Sequence, residues 1–160
     1  MRGRAILVGT ELGLYSYEAG QWTLLGNAKA FGLTSQMVAS ILIVEEPGRP
    51  YQIWFGTEQG IAMLQGNTWT PHPPGPNLPG NVVPRLQATR NPAGETVIWA
   101  ATEGGLARFE RGKWSTFSVA SGFPGKIIRS LLAVQTPGAG ATLWVGTFGG
   151  LARYAPGLWS

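Results

Sequence analysis

The stretch Leu143–Tyr154 reads LWVGTFGGLARY, Ile98–Phe109 reads IWAATEGGLARF, and Ile53–Leu64 reads IWFGTEQGIAML. A fainter copy, ILVGTELGLYSY, occupies Ile6–Tyr17. Thr10, Thr57, Thr102 and Thr147 are spaced by 47, 45 and 45 residues, and Trp22, Trp69, Trp114 and Trp159 repeat those three spacings. Trp54, Trp99 and Trp144 form a further column, in which Leu7 stands first. A fixed period of this length marks a chain of like units that bury their apolar faces on one another.

Each full unit carries four strand signals, and the first carries three. Strand A is the apolar, β-prone run Met37–Val44, Val82–Thr89 and Ile127–Val134, and it is expected to be buried on both faces. A connector follows, with Pro47, Pro92 and Pro137 in register. Strand B is the IWFGT run and ends in Thr-x-x-Gly, with Gly13, Gly60, Gly105 and Gly150 at one position. That spacing predicts a three-residue hairpin closed by a glycine in the left-handed region. Strand C leads to a two-residue turn at Ala19-Gly20, Gly66-Asn67, Arg111-Gly112 and Pro156-Gly157, and strand D carries the second Trp column.

Four strands in about 45 residues define a propeller blade. The expected fold is all-β, a partial β-propeller of nearly four blades forming a single domain over 1–160. The blades are expected over 5–26 (without strand A), 36–73, 81–119 and 126–160 (with strand D clipped). The Trp columns are then packing faces between adjacent blades, each ring burying roughly 150–250 Å². They are expected to be core and not a ligand cage. The two extra residues of the first interval fall between Trp22 and Leu33, in LLGNAKAFG, and are expected in a loop.

Apolar strand A, a Pro/Gly connector, then LWVGT-x-GGLARY and G-x-W resemble the two-component regulator propeller repeat over essentially the whole chain. No Trp-Asp dipeptide of the WD40 kind and no sialidase-type Asp box is present. The resemblance implies the sensing region of a bacterial signalling protein, placed outside the cytoplasm. Two departures stand out: Ala101 replaces the glycine before Thr102, and the first copy lacks its strand-B Trp.

The first blade has no strand A ahead of it, and the last stops one residue after Trp159. Three readings stay open. The preferred one is an arc of a longer ring of about seven blades. The others are association of two or more copies into a ring, and a compressed four-bladed unit.

Composition narrows the functional classes. Apolar residues are 44% and charged ones 12%, too apolar for disorder. Twelve Lys and Arg face eight Glu and no Asp, a net charge of +4. The basic residues are scattered, with the densest group at Arg108, Arg111 and Lys113 around a turn, so no nucleic-acid partner is expected. The lack of Asp argues against Asp-rich Ca²⁺ loops, and the lack of Cys excludes thiol chemistry and disulfides. The run MRGRAILV has a basic start but no long apolar segment behind it, so neither a signal peptide nor a membrane span is expected there.

No catalytic set, metal site or cofactor is expected. The one histidine, His72, lies in the Pro-rich TPHPPGPNLPG and is expected to be exposed. GFPGKI at Gly122–Ile127 lacks the spacing of a phosphate loop, and the Pro71–Pro79 run is expected to act as a stiff connector. The candidate binding residues are Glu11, Glu58 and Glu103, which share a column after the repeated Thr, with Phe148 fourth. Arg85 and Arg129 interrupt the innermost strand and are expected toward the central channel. The reading is non-catalytic recognition of a small-molecule, polysaccharide or peptide ligand across the rim. Further blades or a second copy are additional candidate partners. A propeller-type lyase or hydrolase and a ring-forming structural scaffold are the alternatives.

Overall fold

A computed structural model describes residues 5–119, 123–125, 127–136, 140–155 and 158–160. The chain forms a row of antiparallel sheets. The first holds β1 (Ile6–Thr10), β2 (Gly13–Glu18) and β3 (Gln21–Gly26). A one-turn helix, α1 (Ala28–Phe31), leads to the second sheet: β4 (Val38–Val44), β5 (Gln52–Thr57), β6 (Gly60–Gln65) and β7 (Thr68–His72). The third holds β8 (Arg85–Arg90), β9 (Thr96–Thr102), β10 (Gly105–Glu110) and β11 (Lys113–Phe117). The fourth holds β12 (Ile128–Thr136), β13 (Gly140–Thr147), β14 (Gly150–Ala155) and β15 (Leu158–Trp159). In every sheet the strands pair in chain order, the up-and-down meander of a propeller blade.

The first strands of successive sheets approach one another, β4 against β8 and β8 against β12, so they lie innermost. In the three-stranded first sheet β1 takes that place beside β4. Burial differs from the sequence expectation. β4 and β8 are mostly half-buried, whereas β5 and β9 are buried along nearly their whole length. The second strand is sandwiched between neighbouring sheets; the innermost one keeps an edge toward the axis. β8 also starts later than expected, because Pro84 has no N–H to donate to the ladder. The Val83 N–H donates instead to the Thr57 carbonyl of the preceding sheet at 2.9 Å.

The core consists of three clusters, one in each gap between sheets. Strand alternation gives each sheet two apolar faces of fixed direction. The strand-B indole points forward: Trp54 into the gap between the second and third sheets, Trp99 into the gap between the third and fourth. The strand-D indole points backward, which puts Trp69, Trp114 and Trp159 into the three successive gaps. The two columns therefore meet. Trp54 and Trp114 lie 6.5 Å apart at 79°, and Trp99 and Trp159 lie 6.1 Å apart at 87°. In the first gap Leu7 takes the forward place and packs with Trp69.

Two of the seven tryptophans depart from the expectation of a packed core. Trp22 is 59% exposed, and Trp144, although half-buried like Trp69, Trp114 and Trp159, packs against none of the three clusters. Trp22 is the backward indole of the first sheet and Trp144 the forward indole of the fourth, so neither meets a neighbouring sheet within the chain. The two-residue insertion is a second correction. It forms α1 and not a plain loop, and it places Phe31 fully buried with its ring 4.5 Å from Phe55 and 5.2 Å from Trp69.

The hairpin after strand B is tighter than expected. Thr10 pairs with Gly13, Thr57 with Gly60, Thr102 with Gly105 and Thr147 with Gly150, leaving two residues in each loop. The four glycines begin strand C with φ between 105° and 138°, beyond the left-handed helical region and open only to residues without Cβ. Glycine before the Thr has a different cause, close approach. A Cβ on Gly56 would lie 2.1 Å from the Val83 carbonyl oxygen and 2.6 Å from the Ser40 hydroxyl. Gly56 pairs with Ser40 and Gly146 with Ser130, but Ala101 pairs with Arg85 and meets no serine hydroxyl there.

Candidate recognition site

Alternating strand direction puts the B–C turns and the D–A crossovers at one end of the stack. Contacts across that rim confirm the grouping. The Gly60 N–H donates to the Asn81 carbonyl at 2.8 Å, and Ser35 of the first crossover donates to Glu58 at 3.4 Å. Each turn is locked by its threonine. Thr57 Oγ1 donates to the Gly60 carbonyl at 3.0 Å and accepts the Gln59 N–H at 3.0 Å. Thr10, Thr102 and Thr147 make the same pair of bonds. The repeated Thr was evident in the sequence, but nothing there distinguished a turn lock from a surface residue.

Glu11, Glu58 and Glu103 are exposed on these turns, and Phe148, at the fourth position, is exposed as well. Arg129 lies at the register irregularity between Ile128 and Ser130, a bulge of the kind that re-aims a side chain. Its guanidinium sits 4.9 Å over the Phe148 ring. Arg85 is exposed and donates to the Pro84 carbonyl at 2.8 Å. Arg129 and Phe148 are thus brought together. For Glu58 the structure shows the Ser35 contact; Glu11, Glu103 and Arg85 are on the same part of the repeat and make no hydrogen bond or ion pair with one another.

The opposite rim carries a denser polar network, built from the A–B and C–D turns. Asn91 Nδ2 donates to Glu95 at 2.7 Å and to Glu110 at 2.9 Å, and Arg111 Nε donates to Glu95 at 2.8 Å. The Asn91 bond first, then Arg111, holds the Glu95 carboxyl below its ordinary range. Arg90 donates to the Glu45 carbonyl at 3.1 Å and Thr96 to Glu46 at 2.8 Å, tying the third sheet to the second.

A cleft of about 420 Å³ opens between the third and fourth sheets on this rim. Arg108 lines it together with Arg90, Arg111 and Glu110. The Arg108 guanidinium lies 5.7 Å over the Trp99 ring and 5.8 Å over Tyr154, and it is ion-paired to Glu110. The Arg108 Nε is nevertheless buried with no hydrogen-bond partner. Sequence reasoning treated Arg108 as scattered surface charge, because its aromatic neighbours come from two different blades. Glu58, Glu103, Phe148, Arg85 and Arg129 do not line this cleft.

His72 is a further correction. It is the last residue of β7, half-buried and stacked 5.2 Å from Trp54 at 15°, with Phe109 and Trp114 edge-on. Trp114 Nε1 donates to its Nδ1 at 3.2 Å, and burial pulls its pKa below 6.5. Register explains the placement: His72 occupies the column of Leu25 and Phe117, which also fills a gap between sheets. The Pro-rich run after it is anchored by Leu78, which is buried and bridges to Gly75. Gly122 and Lys126 of GFPGKI, Pro137, and the turn Pro156-Gly157 lie outside the described residues. Among the described residues no group of three or more His, Asp or Glu could hold a metal, and no helix is long and apolar enough to cross a membrane.

No family model and no curated protein matches the chain. Among solved structures it is similar to the extracellular domain of BT4673 from B. thetaiotaomicron, given in one structure as a one-component and in another as a hybrid two-component system. The TM-score is 0.72 in both cases, at 20% and 19% identity, over 99% of this chain. The chain spans about a fifth of the length of those structures. At such low identity the likeness is one of fold alone: the chain is a stack of antiparallel propeller blades.

Proposed function

We propose that the chain is a non-catalytic recognition module of an extracellular sensor, and that it holds a polar ligand in the cleft beside Arg108. The ligand class is one that presents oxygen acceptors: an oligosaccharide, a peptide or an acidic small molecule. The observation that carries this reading is Arg108 itself. The flanking rings and Glu110 fix its guanidinium, and the side chain stays partly exposed on the wall of the cleft, where it can donate to a ligand's oxygen acceptors. The cleft volume lies within the range of small-ligand sites. Support for the sensing role comes from the shared fold with an extracellular signalling domain. Glu11, Glu58, Glu103, Arg85, Arg129 and Phe148 offer a second polar rim on the same stack.

Calorimetric titration of the chain with oligosaccharides, with peptides and with acidic small molecules tests the proposal. Arg108→Met is the informative variant, since Met63 already fills that column in the second sheet. It is expected to weaken binding at least about tenfold, from loss of a charge-assisted hydrogen bond, with Glu58→Gln and Arg85→Ala unchanged. The reverse pattern moves the site to the turn rim. Absence of binding across all three ligand classes overturns the reading.

A further inference from the structure

The forward face of the fourth sheet and the backward face of the first are two halves of one joint. Within the chain the column Leu14, Ile61, Leu106 is fully buried each time by the next sheet, but Leu151, the fourth member, is 64% exposed. Leu132 and Trp144 share that uncovered face. On the first sheet Ile6 is uncovered in a column whose other members, Ile53, Ile98 and Leu143, are buried, and Trp22 is exposed in a column whose other members are half-buried between sheets.

The two faces also match in detail. On the forward side Arg153 lies 5.8 Å over Trp144, as Arg108 lies 5.7 Å over Trp99. Arg108 has a second ring above it, Tyr154 of the next sheet, whereas among the described residues Arg153 lies over Trp144 alone. On the backward side Tyr17 occupies the Tyr154 column and packs on Trp22 at 4.8 Å and 41°, as Tyr154 packs on Trp159 at 5.1 Å and 53°. Trp144 with Arg153 thus reproduces one side of the joint between the third and fourth sheets, and Trp22 with Tyr17 reproduces the other.

From this we infer that the chain binds a second copy of itself head to tail. Trp144 and Arg153 of one copy seat against Trp22 and Tyr17 of the next in the geometry of Trp99 and Arg108 against Trp159 and Tyr154. A contact of this heterologous kind uses different patches on the two partners, so it closes only if the copies complete a ring. Two copies of four sheets each reach the upper end of the roughly four to eight blades with which such rings close. The joint is separate from the Arg108 cleft and needs no ligand.

Sedimentation of the 160-residue chain is expected to give about twice the 17.0 kDa of one chain. Trp22→Glu and Trp144→Glu, both at accessible positions, are each expected to give monomers with unchanged circular dichroism. Mixing the two variants restores a dimer, because each retains the face that the other has lost. Arg153→Ala weakens the dimer about fivefold, by loss of one cation–π contact. A monomeric wild type overturns the inference. So does a dimer that survives either single substitution, which means a symmetric face-to-face contact, or a mixture of folded variants that stays monomeric.

Discussion

His72 shows how little a residue's immediate neighbours reveal. Prolines on either side suggest an exposed loop, yet the imidazole is stacked on Trp54 and accepts the Trp114 indole N–H. The signal that locates it is the column shared with Leu25 and Phe117, not the local composition. The placement has a pH consequence. Burial lowers the folded-state pKa below 6.5, so the unfolded chain takes up the proton first as pH falls. The contribution of His72 is therefore complete above pH 6.5 and declines as pH drops below it. The protonated ring also loses its acceptor for Trp114. Urea unfolding at pH 5, 6, 7 and 8 is expected to show a fall in stability that His72→Phe lacks. Phe117 shows that a benzyl group fits this column, at the expense of an indole N–H left unpaired, as it is at Trp159.

The hairpin between the second and third strands is the element that recurs with least change. The sequence made its glycine and its threonine visible as a pair, and the alternation of apolar residues made the flanking strands visible too. The loop length was misjudged by one residue, because spacing alone does not reveal whether the glycine belongs to the loop or to the strand. The threonine's two hydrogen bonds depend on orientation, which no pattern of letters encodes. Their worth depends on burial. Thr57 is fully buried, while the Thr147 lock is exposed to solvent. Thr57→Val is expected to cost about 1–3 kcal/mol, since the buried Gly60 carbonyl and the partly buried Gln59 N–H lose their partner. Thr147→Val is expected to cost less than about half of that, with water replacing the hydroxyl. Chemical denaturation of the two variants checks the ordering.

At the scale of the whole molecule, the period gave the number of sheets, their strand order and the columns that pack. It could not show which members of a column lack a neighbour, because Trp54, Trp99 and Trp144 look alike in the sequence. Nor could it show the Arg108 cleft, whose walls come from two blades, since a repeat describes each blade by itself. The cost of a substitution follows the same logic of position in the stack. Trp54→Ala empties a sealed gap and is expected to cost about 3–5 kcal/mol. In the Trp22→Glu background, which keeps the copies apart, Trp144→Ala is expected to cost well under half as much. Thermal unfolding of both compares one letter of one column in two surroundings.

Each four-stranded sheet has a forward indole on its second strand and a backward one on its fourth, and this gives the stack a sense of direction like that of couplings between railway carriages. A 45-residue cassette cut anywhere in the cycle carries both fittings. Duplicating or deleting one such cassette alters how far the arc extends, while every remaining coupling stays as it was.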